Sequence, residues 1–522
     1  MLYLMTLSVL SGVLLPLALP NEIFLFGFPL LGCVCLAPYF FAIARCPSWK
    51  KAALCSVLFA LVSTPLGNFW LAFFKDFAFL TIGSVTLAYS FLFIGYGTVL
   101  WRFSKTQGRW RPFLIAAFWT VYEFIKSTGY FAYPWGLISY PVNTLLPLLQ
   151  VADIAGIWPI SFLMAFINAL AAESMLRLGV PRLPAVPRFP ARTWLFAASL
   201  VLIFTGYGLF RMAAGVPSAG GLKAVLVQQN TDPWGGSAQE KSLLLLEDMS
   251  RRGVADLGGE ADIVLWSESS VSSPYAINKN RFETFPRKDP FGPFVRSLGA
   301  NLFTGNTIQV DGRRHQNGVI LINTQGDVTG SYGKRHPVPI AEHVPFWEFA
   351  PVREFFQKKV GLGSIWELGK EDTIFTIKTS KAKDIRFGAP ICFEDAFPYL
   401  CRGLVLKGAD LLVNLTNDAW SQTNSAQIQH FVVARFRSIE MKRVLVRSTN
   451  GGLTAIVGPF GEIRQSLPMF EAAYLATEIP VFREEGLTPY TVFGDWLPVL
   501  LGIILLVALV RGNKKAAHRD GL

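Results

Sequence analysis

The stretch Phe387-Gly-Ala-Pro-Ile-Cys392-Phe-Glu394 places a cysteine at the end of a short apolar run, closely followed by a carboxylate. Two earlier segments supply groups that a thiol nucleophile requires. Asp262-Ile-Val-Leu-Trp-Ser-Glu268 is an apolar run that ends in a carboxylate, and Tyr332-Gly-Lys334-Arg-His336 presents a lysine before a proline-bounded loop. The chain therefore presents, in order, a glutamate, a lysine and a cysteine, and the first and the third follow apolar runs that predict strands.

Cys392 needs neighbouring groups to act as a nucleophile, because a thiol reacts poorly until it is a thiolate. Glu268 is predicted to accept the thiol proton as a general base. Lys334 is predicted to stabilise the thiolate and then the oxyanion of a tetrahedral intermediate, aided by backbone N–H groups just after the cysteine. This set is typical of acyl transfer. Each residue also has a plain structural interpretation, as an inert buried thiol, a strand-end carboxylate and a solvated loop charge.

The order and the flanking residues resemble the nitrilase (carbon–nitrogen hydrolase) superfamily, whose Glu-Lys-Cys triad lies on an αββα sandwich. Residues 334–345 are similar to the lysine loop of one membrane-bound family within it, apolipoprotein N-acyltransferase. Asn417-Asp-Ala-Trp420 and Arg447-Ser-Thr-Asn450-Gly look like that family's signature after the cysteine. Pro134-Trp135-Gly136 and Gln150-Val-Ala-Asp153-Ile-Ala-Gly156 also resemble it, so the likeness covers nearly the whole chain.

The resemblance implies supporting roles for further residues. Glu342 corresponds to a glutamate that hydrogen-bonds the triad lysine or orients the nucleophile, although it can also be an ordinary loop carboxylate. Glu394 and Phe393 are expected to support the cysteine loop. Trp234, on the Gly/Pro-rich segment after the first strand, is similar to a mobile tryptophan that meets substrate; the alternative is a turn aromatic.

The chain departs from the family pattern at several positions beside the triad. The family more often has Pro where this chain has Ser267, Leu where it has Pro337, Phe-Gly where it has Ile340-Ala341, and often Tyr where it has Phe393. None of these is a triad position. The departures therefore bear on the shape of the substrate groove, and hence on acyl-chain and head-group preference, more than on the reaction class.

The composition is that of a membrane protein, with 52% hydrophobic, 14% aromatic and only 16% charged residues in 522. Eight apolar runs are long enough to be candidates for crossing about 30 Å of hydrocarbon. They lie near residues 2–19, 23–44, 52–74, 77–101, 112–125, 148–171, 194–210 and 497–510. The predicted fold is therefore a multi-pass membrane domain of about eight helices joined to an αββα sandwich.

Basic residues alternate between the connecting loops. One set of loops carries Arg45, Lys50 and Lys51; Arg102, Lys105, Arg109 and Arg111; Arg177, Arg182, Arg188 and Arg192; and Arg511, Lys514, Lys515 and Arg519, whereas the opposite short loops carry Lys75 and Lys126. The positive-inside rule places the first set, and both termini, in the cytoplasm. The net charge of +12 thus reflects topology, and no nucleic-acid partner is expected.

The composition changes after the seventh run, where short β-like runs alternate with amphipathic helices. The predicted strands are 223–228, 262–266, 301–309, 318–323, 387–391, 409–415, 444–448 and 453–457, and the predicted helices are 242–251 and 425–443. The expected domains are helices one to seven in 1–212, a periplasmic catalytic domain in 222–480, helix eight in 490–511 and a cytoplasmic tail in 512–522.

The six cysteines show neither a disulfide framework nor metal-ligand spacing, so no metal and no cofactor are expected. Cys401 is interpreted as a small core residue. In the fifth run, Glu123 and Lys126 lie where charge is costly in a membrane. They can pair on one helix face, but Glu123 also lies in Trp119-x-x-x-Glu123, a spacing similar to the family's, and its role stays open.

The resemblance implies a ping-pong acyltransferase of the bacterial inner membrane, working as a monomer. Cys392 would take an acyl chain from a phospholipid as a thioester and pass it to the N-terminal amine of diacylglyceryl-cysteine on an apolipoprotein. One rival is a membrane-tethered amidase or nitrilase-like hydrolase of small soluble substrates, for which eight spans exceed what an anchor needs. Another is a non-catalytic scaffold or transporter with a degenerate domain, against which the intact Glu-Lys-Cys set argues.

Overall fold

The computed structural model describes residues 1–74, 78–106, 110–177, 191–232, 239–379, 383–483 and 486–520, the last nine by their backbone. The chain separates into two compact units. The helical unit contains residues 1–215, 423–436 and 488–522, and the sheet unit contains residues 216–422 and 437–487. Helix α16 (Asn424–Met441) therefore begins in the first unit and ends in the second.

The helical unit is built from apolar segments whose backbone polar groups are satisfied within each helix, as hydrocarbon requires. Its helices, apart from the first part of α16, are α1 (Leu2–Ala18), α2 (Pro29–Gly32), α3 (Ala37–Arg45), α4 (Trp49–Gly67), α5 (Ala78–Ser104), α6 (Trp110–Lys126), α7 (Leu146–Leu149), α8 (Ala152–Ala155), α9 (Trp158–Arg177), α10 (Ala191–Ala214), α17 (Pro489–Phe493) and α18 (Trp496–Asp520). Among the described residues, α4, α5, α9 and α10 are long and apolar enough to cross a membrane.

Two of the eight predicted spans are wrong as single helices. In the second, residues 23–28 are not helical, and the helices α2 and α3 are separated between Gly32 and Ala37. In the sixth, Gly156 adopts a φ of +67°, which ends α8, so the long helix α9 begins only at Trp158. Both runs are apolar throughout, and hydropathy alone does not register these breaks. The third run overlaps α4 and a short 3₁₀ helix, Phe69–Phe73, and the other five runs each overlap one helix.

Glu123 is buried in the helical unit and accepts two hydrogen bonds. Its Oε1 accepts from the indole of Trp119 (3.0 Å) and from the backbone N–H of Ile138 (2.7 Å). The ammonium of Lys126 donates to the backbone carbonyl of Trp135 (2.6 Å). Glu123 and Lys126 thus both hold the segment that carries Pro134-Trp135-Gly136. This is a structural function for Glu123 that its position in the sequence left open.

The sheet unit contains two six-stranded sheets. The strands are β1 (Ser218–Gln228), β2 (Ile263–Trp266), β3 (Asn301–Gln309), β4 (His315–Ile322), β5 (Val328–Gly333), β6 (Ile374–Lys378), β7 (Asp384–Gly388), β8 (Leu411–Thr416), β9 (Val444–Thr449), β10 (Ala455–Val457), β11 (Ile463–Ser466) and β12 (Ala473–Phe482). The first sheet has the order β12-β1-β2-β3-β4-β5, and the second has the order β11-β10-β9-β8-β7-β6.

The central strands of each sheet are parallel and the outer ones antiparallel. Strands β1, β2 and β3 run parallel in the first sheet, and β7, β8 and β9 in the second. Because the carboxyl ends of parallel strands meet at one edge of a sheet, the residues after β2 and β8 are brought to the edges where ligands usually bind in α/β proteins. The predicted glutamate follows the first of these strands.

Apolar residues of both sheets form one continuous buried core. Leu226 and Leu265 of the first sheet and Leu411 and Val446 of the second belong to it, and all four are almost fully buried. A second apolar cluster joins the other face of the first sheet to helices α11 (Gln239–Asp256) and α13 (Phe291–Ser297). Two facing sheets with helices outside them give the expected sandwich of the nitrilase type.

The remaining helices are short, and α15 lies against the second sheet. They are α12 (Lys279–Phe282), α14 (Ala350–Phe355) and α15 (Pro398–Leu406). A Cβ at Gly388 would lie 2.7 Å from the side chain of Leu404, so glycine permits the close packing of α15 on β7. The predicted strand 387–391 is wrong at its end, because β7 stops at Gly388.

Candidate active site

Glu268 lies two residues beyond β2, in a segment that passes very close to β3. A Cβ at Gly305 would lie 2.6 Å from the Cα atom of Glu268, so only glycine permits this approach. The side chain of Glu268 is almost completely buried. A buried carboxylate requires partners, since transferring its charge from water is costly otherwise.

Lys334 provides one of these partners. It is the first residue after β5, and its backbone N–H donates to the carbonyl of Asn317 on β4 (2.8 Å). Its ammonium donates to Oε1 of Glu268 (3.2 Å) and to Oε1 of Glu342 (2.8 Å). The structure therefore brings together three of the residues that the sequence selected, and Lys334 is only 3% exposed.

Asn317 completes this network and was missed by the sequence analysis. Its side-chain amide donates to Oε1 of Glu268 (2.7 Å) and to Oε1 of Glu342 (3.1 Å). The second oxygen of Glu268 accepts from the backbone N–H of Asn417 (3.0 Å). The signal that was available is an asparagine at the start of an apolar strand, which needs a polar partner when buried.

Cys392 begins a short 3₁₀ helix, Cys392–Ala396, after the extended residues that follow β7. Its backbone has a φ of +49°, in the left-handed region that residues with a side chain rarely adopt. Cys392 as a whole residue is partly exposed, whereas Cys401 is buried. A sharp turn at the end of a strand run, with the side chain accessible, is a suitable setting for a nucleophile.

The charges around Cys392 act on its thiol in opposite directions. Burial raises the pKa of Cys392 well above its ordinary value, Glu268 raises it further, and Lys334 opposes them. Burial lowers the pKa of Lys334, but the carboxylates of Glu268 and Glu342 outweigh it and raise that pKa. Both shifts favour a protonated thiol and a charged ammonium, and the thiol must lose its proton to a base before it can attack.

Glu394 is fully buried and connects the cysteine turn to the lysine loop. One oxygen accepts from the backbone N–H groups of Arg335 (2.6 Å) and His336 (2.9 Å), and the other accepts from that of Ile391 (2.8 Å). The hydroxyl of Tyr332 also donates to it. Burial outweighs these N–H groups and raises the pKa of Glu394 to about 7.

The two signature segments also converge on the cysteine turn. Arg447 is fully buried and forms ion pairs with Asp395, inside the 3₁₀ helix, and with Asp418 (3.4 Å). The amide of Asn450 donates to Oδ1 of Asn417 (3.0 Å), whose backbone contacts the predicted base. These contacts connect the segments after β8 and β9 to the residues that follow β7.

Of the two remaining predicted site residues, the structure describes Phe393 but not Trp234. Phe393 is buried and packs on the rings of His336 (5.9 Å) and Phe397 (4.9 Å between centroids). Burial, and then the charge of Lys334, lowers the pKa of His336 to about 4, so this imidazole is neutral near pH 7. Trp234 lies outside the described residues, and its predicted role stays a prediction.

The departures from the family pattern lie in or next to this network. Ser267 is fully buried, and its hydroxyl donates to the side chain of Gln229 (3.0 Å). In the lysine loop, Pro337 is buried, whereas Ile340 (φ +68°) and Ala341 are exposed. Among the described residues, no group of three or more His, Cys, Asp or Glu side chains is arranged to hold a metal ion.

A thiol, a buried carboxylate and a buried ammonium on a two-sheet α/β scaffold define a carbon–nitrogen hydrolase type of protein. The carbon-nitrogen hydrolase family model matches residues 224–483. This range contains the end of β1 from residue 224 onward and all strands from β2 to β12. The model of the apolipoprotein N-acyltransferase N-terminal domain matches residues 11–170, within the helical unit.

Relatives cover both matched regions in one chain. The protein is 38% identical over 512 residues to apolipoprotein N-acyltransferase 2 of Treponema denticola, with 97% of each chain covered. It is 36% identical to apolipoprotein N-acyltransferase 2 of Treponema pallidum (97% and 94% covered) and 32% identical to apolipoprotein N-acyltransferase of Borreliella burgdorferi (97% and 95% covered). The chain belongs to the apolipoprotein N-acyltransferase family, and this membership makes it a membrane acyltransferase of lipoprotein maturation.

Proposed function

We propose that this chain moves a fatty acyl group from a membrane phospholipid, through a thioester on Cys392, to the N-terminal amine of diacylglyceryl-cysteine on an apolipoprotein. The observation that carries the proposal is the buried network of Glu268, Lys334 and Glu342, whose charges act on the Cys392 thiol. The family names suggest an amine acceptor on an apolipoprotein, whereas the phospholipid donor follows from the resemblance of the sequence to this family, and the site can serve both chemically.

In the first half-reaction, Glu268 accepts the thiol proton as the sulfur of Cys392 attacks the ester carbonyl of the phospholipid. The ammonium of Lys334 stabilises the tetrahedral oxyanion. When the intermediate collapses, the ester C–O bond breaks, and Glu268 returns the proton to the lysophospholipid oxygen. The acyl group is then held as a thioester. Glu342 and Asn317 keep the lysine and the base in place by hydrogen bonds to both.

In the second half-reaction, a neutral amine attacks the thioester carbonyl. Glu268 takes the amine proton and returns it to the sulfur as the C–S bond breaks, which restores the thiol. Protonation selects the acceptor, because an α-amine with a pKa near 8 is substantially neutral at pH ~7.5, whereas a lysine amine at about 10.4 is neutral only about one part in a thousand.

We expect acyl-Cys392 to persist for minutes or longer in membranes that contain phospholipid but no acceptor. It is expected to disappear promptly when a peptide with a free N-terminal diacylglyceryl-cysteine is added, and to remain when the N-acetylated peptide is added instead. Intact-protein mass spectrometry measures both steps. Rapid release of free fatty acid without an acceptor would favour the membrane-tethered hydrolase over the transferase.

The proposed arrangement has eight membrane crossings, seven within residues 1–212 and the eighth within 490–511, and the second and sixth crossings are made by interrupted helices. The sheet unit, which accounts for most of residues 222–480, forms a catalytic domain on the periplasmic side of the inner membrane, and residues 512–522 form a cytoplasmic tail. The distribution of basic residues supports this orientation. Both substrates are lipid-anchored, so a membrane-attached site can meet them by lateral diffusion. All proposed catalytic groups lie in one chain, which supports a monomer, and native mass spectrometry in nanodiscs tests this.

Cysteine labelling tests the orientation. In a background with Cys33 and Cys392 replaced by alanine, an impermeant thiol reagent is expected to label Ser218→Cys from outside intact spheroplasts. It is expected not to label Pro47→Cys, in the loop between α3 and α4, until the membrane is permeabilised. Both native side chains are exposed in the structure. Labelling of Pro47→Cys alone from outside would invert the proposed topology.

A further inference from the structure

The turn at Cys392 has a backbone conformation that its own side chain disfavours. A positive φ brings the Cβ atom of an L-residue close to the following carbonyl, so a cysteine keeps this conformation only when its surroundings hold it. A glycine at position 392 would adopt this conformation without strain, but the residue is a cysteine. The groups that contact the backbone on either side of Cys392 therefore decide where its sulfur lies.

Asn414, the fourth residue of β8, contacts the backbone on both sides of the cysteine. Its side-chain amide donates to the carbonyl of Pro390 (2.9 Å) and to the carbonyl of Cys392 (3.0 Å). Carbonyl oxygens only accept hydrogen bonds, so the amide must turn its N–H groups toward them, and its orientation is fixed by its partners. Asn414 is fully buried.

Unlike the nitrogen of the same amide, its oxygen makes no hydrogen bond within the described part of the chain. Oδ1 of Asn414 is buried and has no hydrogen-bond partner among the described residues. A buried acceptor without a partner is destabilising, so the fold gains from this side chain only through its two donors. Both donors are used on backbone carbonyls of the cysteine turn, that of Cys392 itself and that of Pro390, two residues before it. Asp has the same shape as Asn but has no N–H group, so it is the substitution that separates donation from shape.

We infer that Asn414 is a positioning residue, which holds Cys392 in its left-handed conformation and thereby aims the thiol for acylation. The inference rests on the proposed thioester on Cys392. The two hydrogen bonds fix the peptide group between Pro390 and Ile391 and the peptide group directly after Cys392. Glu394 holds the first of these from its other side, through the N–H of Ile391. Loss of the amide donors is expected to let the turn relax toward negative φ and to displace the sulfur.

The test compares thioester formation in nanodiscs for wild type, Asn414→Ala and Asn414→Asp, using only the monodisperse fraction of each. At pH 8 both variants are expected to form the fatty-acyl adduct about 100-fold more slowly, with the KM for phospholipid changed less than about threefold. As the pH is lowered to 5.5, the ratio of the Asn414→Asp rate to the wild-type rate is expected to rise several-fold, because a protonated carboxyl donates one O–H to a flanking carbonyl. The Asn414→Ala ratio is expected to stay flat.

Asn323 supplies a matched control in the same unit. Its Oδ1 accepts from the backbone N–H groups of Gln325 (3.0 Å) and Asp327 (2.8 Å), so Asn323→Asp keeps an acceptor and is expected to react like wild type. A rate for Asn414→Ala within threefold of wild type would overturn the inference, as would equal pH profiles for the two Asn414 variants. A wild-type protein that forms no adduct on Cys392 would instead refute the proposed function.

Discussion

Replacing Cys392 with alanine is expected to abolish the fatty-acyl adduct and to lower acyl transfer at least about 10³-fold, because alanine has no nucleophile to take its place. Cys392 is a partly exposed residue at the start of a turn, so the loss of its small side-chain sulfur leaves no large cavity, and the fold is expected to persist. Intact-protein mass spectrometry after incubation with phospholipid measures the adduct, and elution as a single species in nanodiscs checks the fold.

Cys401 is the matched control, since it is the other cysteine of the sheet unit and lies on α15, nine residues along the chain. It is buried, and burial raises the pKa of its thiol well above its ordinary value. Cys401→Ala is expected to keep the adduct and nearly all of the transfer rate, with a modest loss of stability. Activity that survives Cys392→Ala and disappears with Cys401→Ala would show that the nucleophile had been assigned to the wrong cysteine.

Sequence patterns predicted the inner strands of both sheets but missed the edge strands. All eight predicted strands correspond to strands of the structure, and they include the central ones, which read as continuous apolar runs. The four that were missed are β5, β6, β11 and β12, and each is an edge strand. An edge strand has one unpaired side and mixed exposure, as in β6, where buried and exposed residues alternate. Its pattern is therefore weaker than that of a buried central strand.

In the site, the sequence identified reactive side chains but not the backbone features that surround them. Glu268 and Lys334 were identified from the sequence because a carboxylate can accept a proton and an ammonium can stabilise an oxyanion, and Glu342 was identified by the resemblance to the family. The φ of Cys392, and the N–H of Asn417 that contacts Glu268, depend on how distant segments meet. A local sequence pattern does not predict contacts between segments that are distant along the chain. The broken second and sixth spans have the same cause, because hydropathy measures composition and not the backbone angles at residues such as Gly156.

The second large effect concerns the pair of charged groups beside the thiol. Glu268→Gln removes the proposed base, and Lys334→Met removes the ammonium that stabilises the oxyanion, so each is expected to lower thioester formation about 10³-fold. Lys334→Arg is also expected to fail, because a planar guanidinium does not replace a compact ammonium between two carboxylates. Glu260→Gln is the control, since it breaks an exposed ion pair with Lys223 and is expected to change the rate less than twofold.

The double variant decides whether Glu268 and Lys334 act as one unit. The ammonium donates to Oε1 of Glu268, and both groups shift the pKa of the same thiol, so removing either one disables the transfer that the other serves. Losses within such a unit do not add, and the double variant is expected to be little slower than either single variant. Single-turnover rates of adduct formation measure this directly. If the double variant instead lost the product of the two single factors, about 10⁶-fold, the glutamate and the lysine would be independent contributors, and the proposed proton transfer from Cys392 to Glu268 would lose its main support.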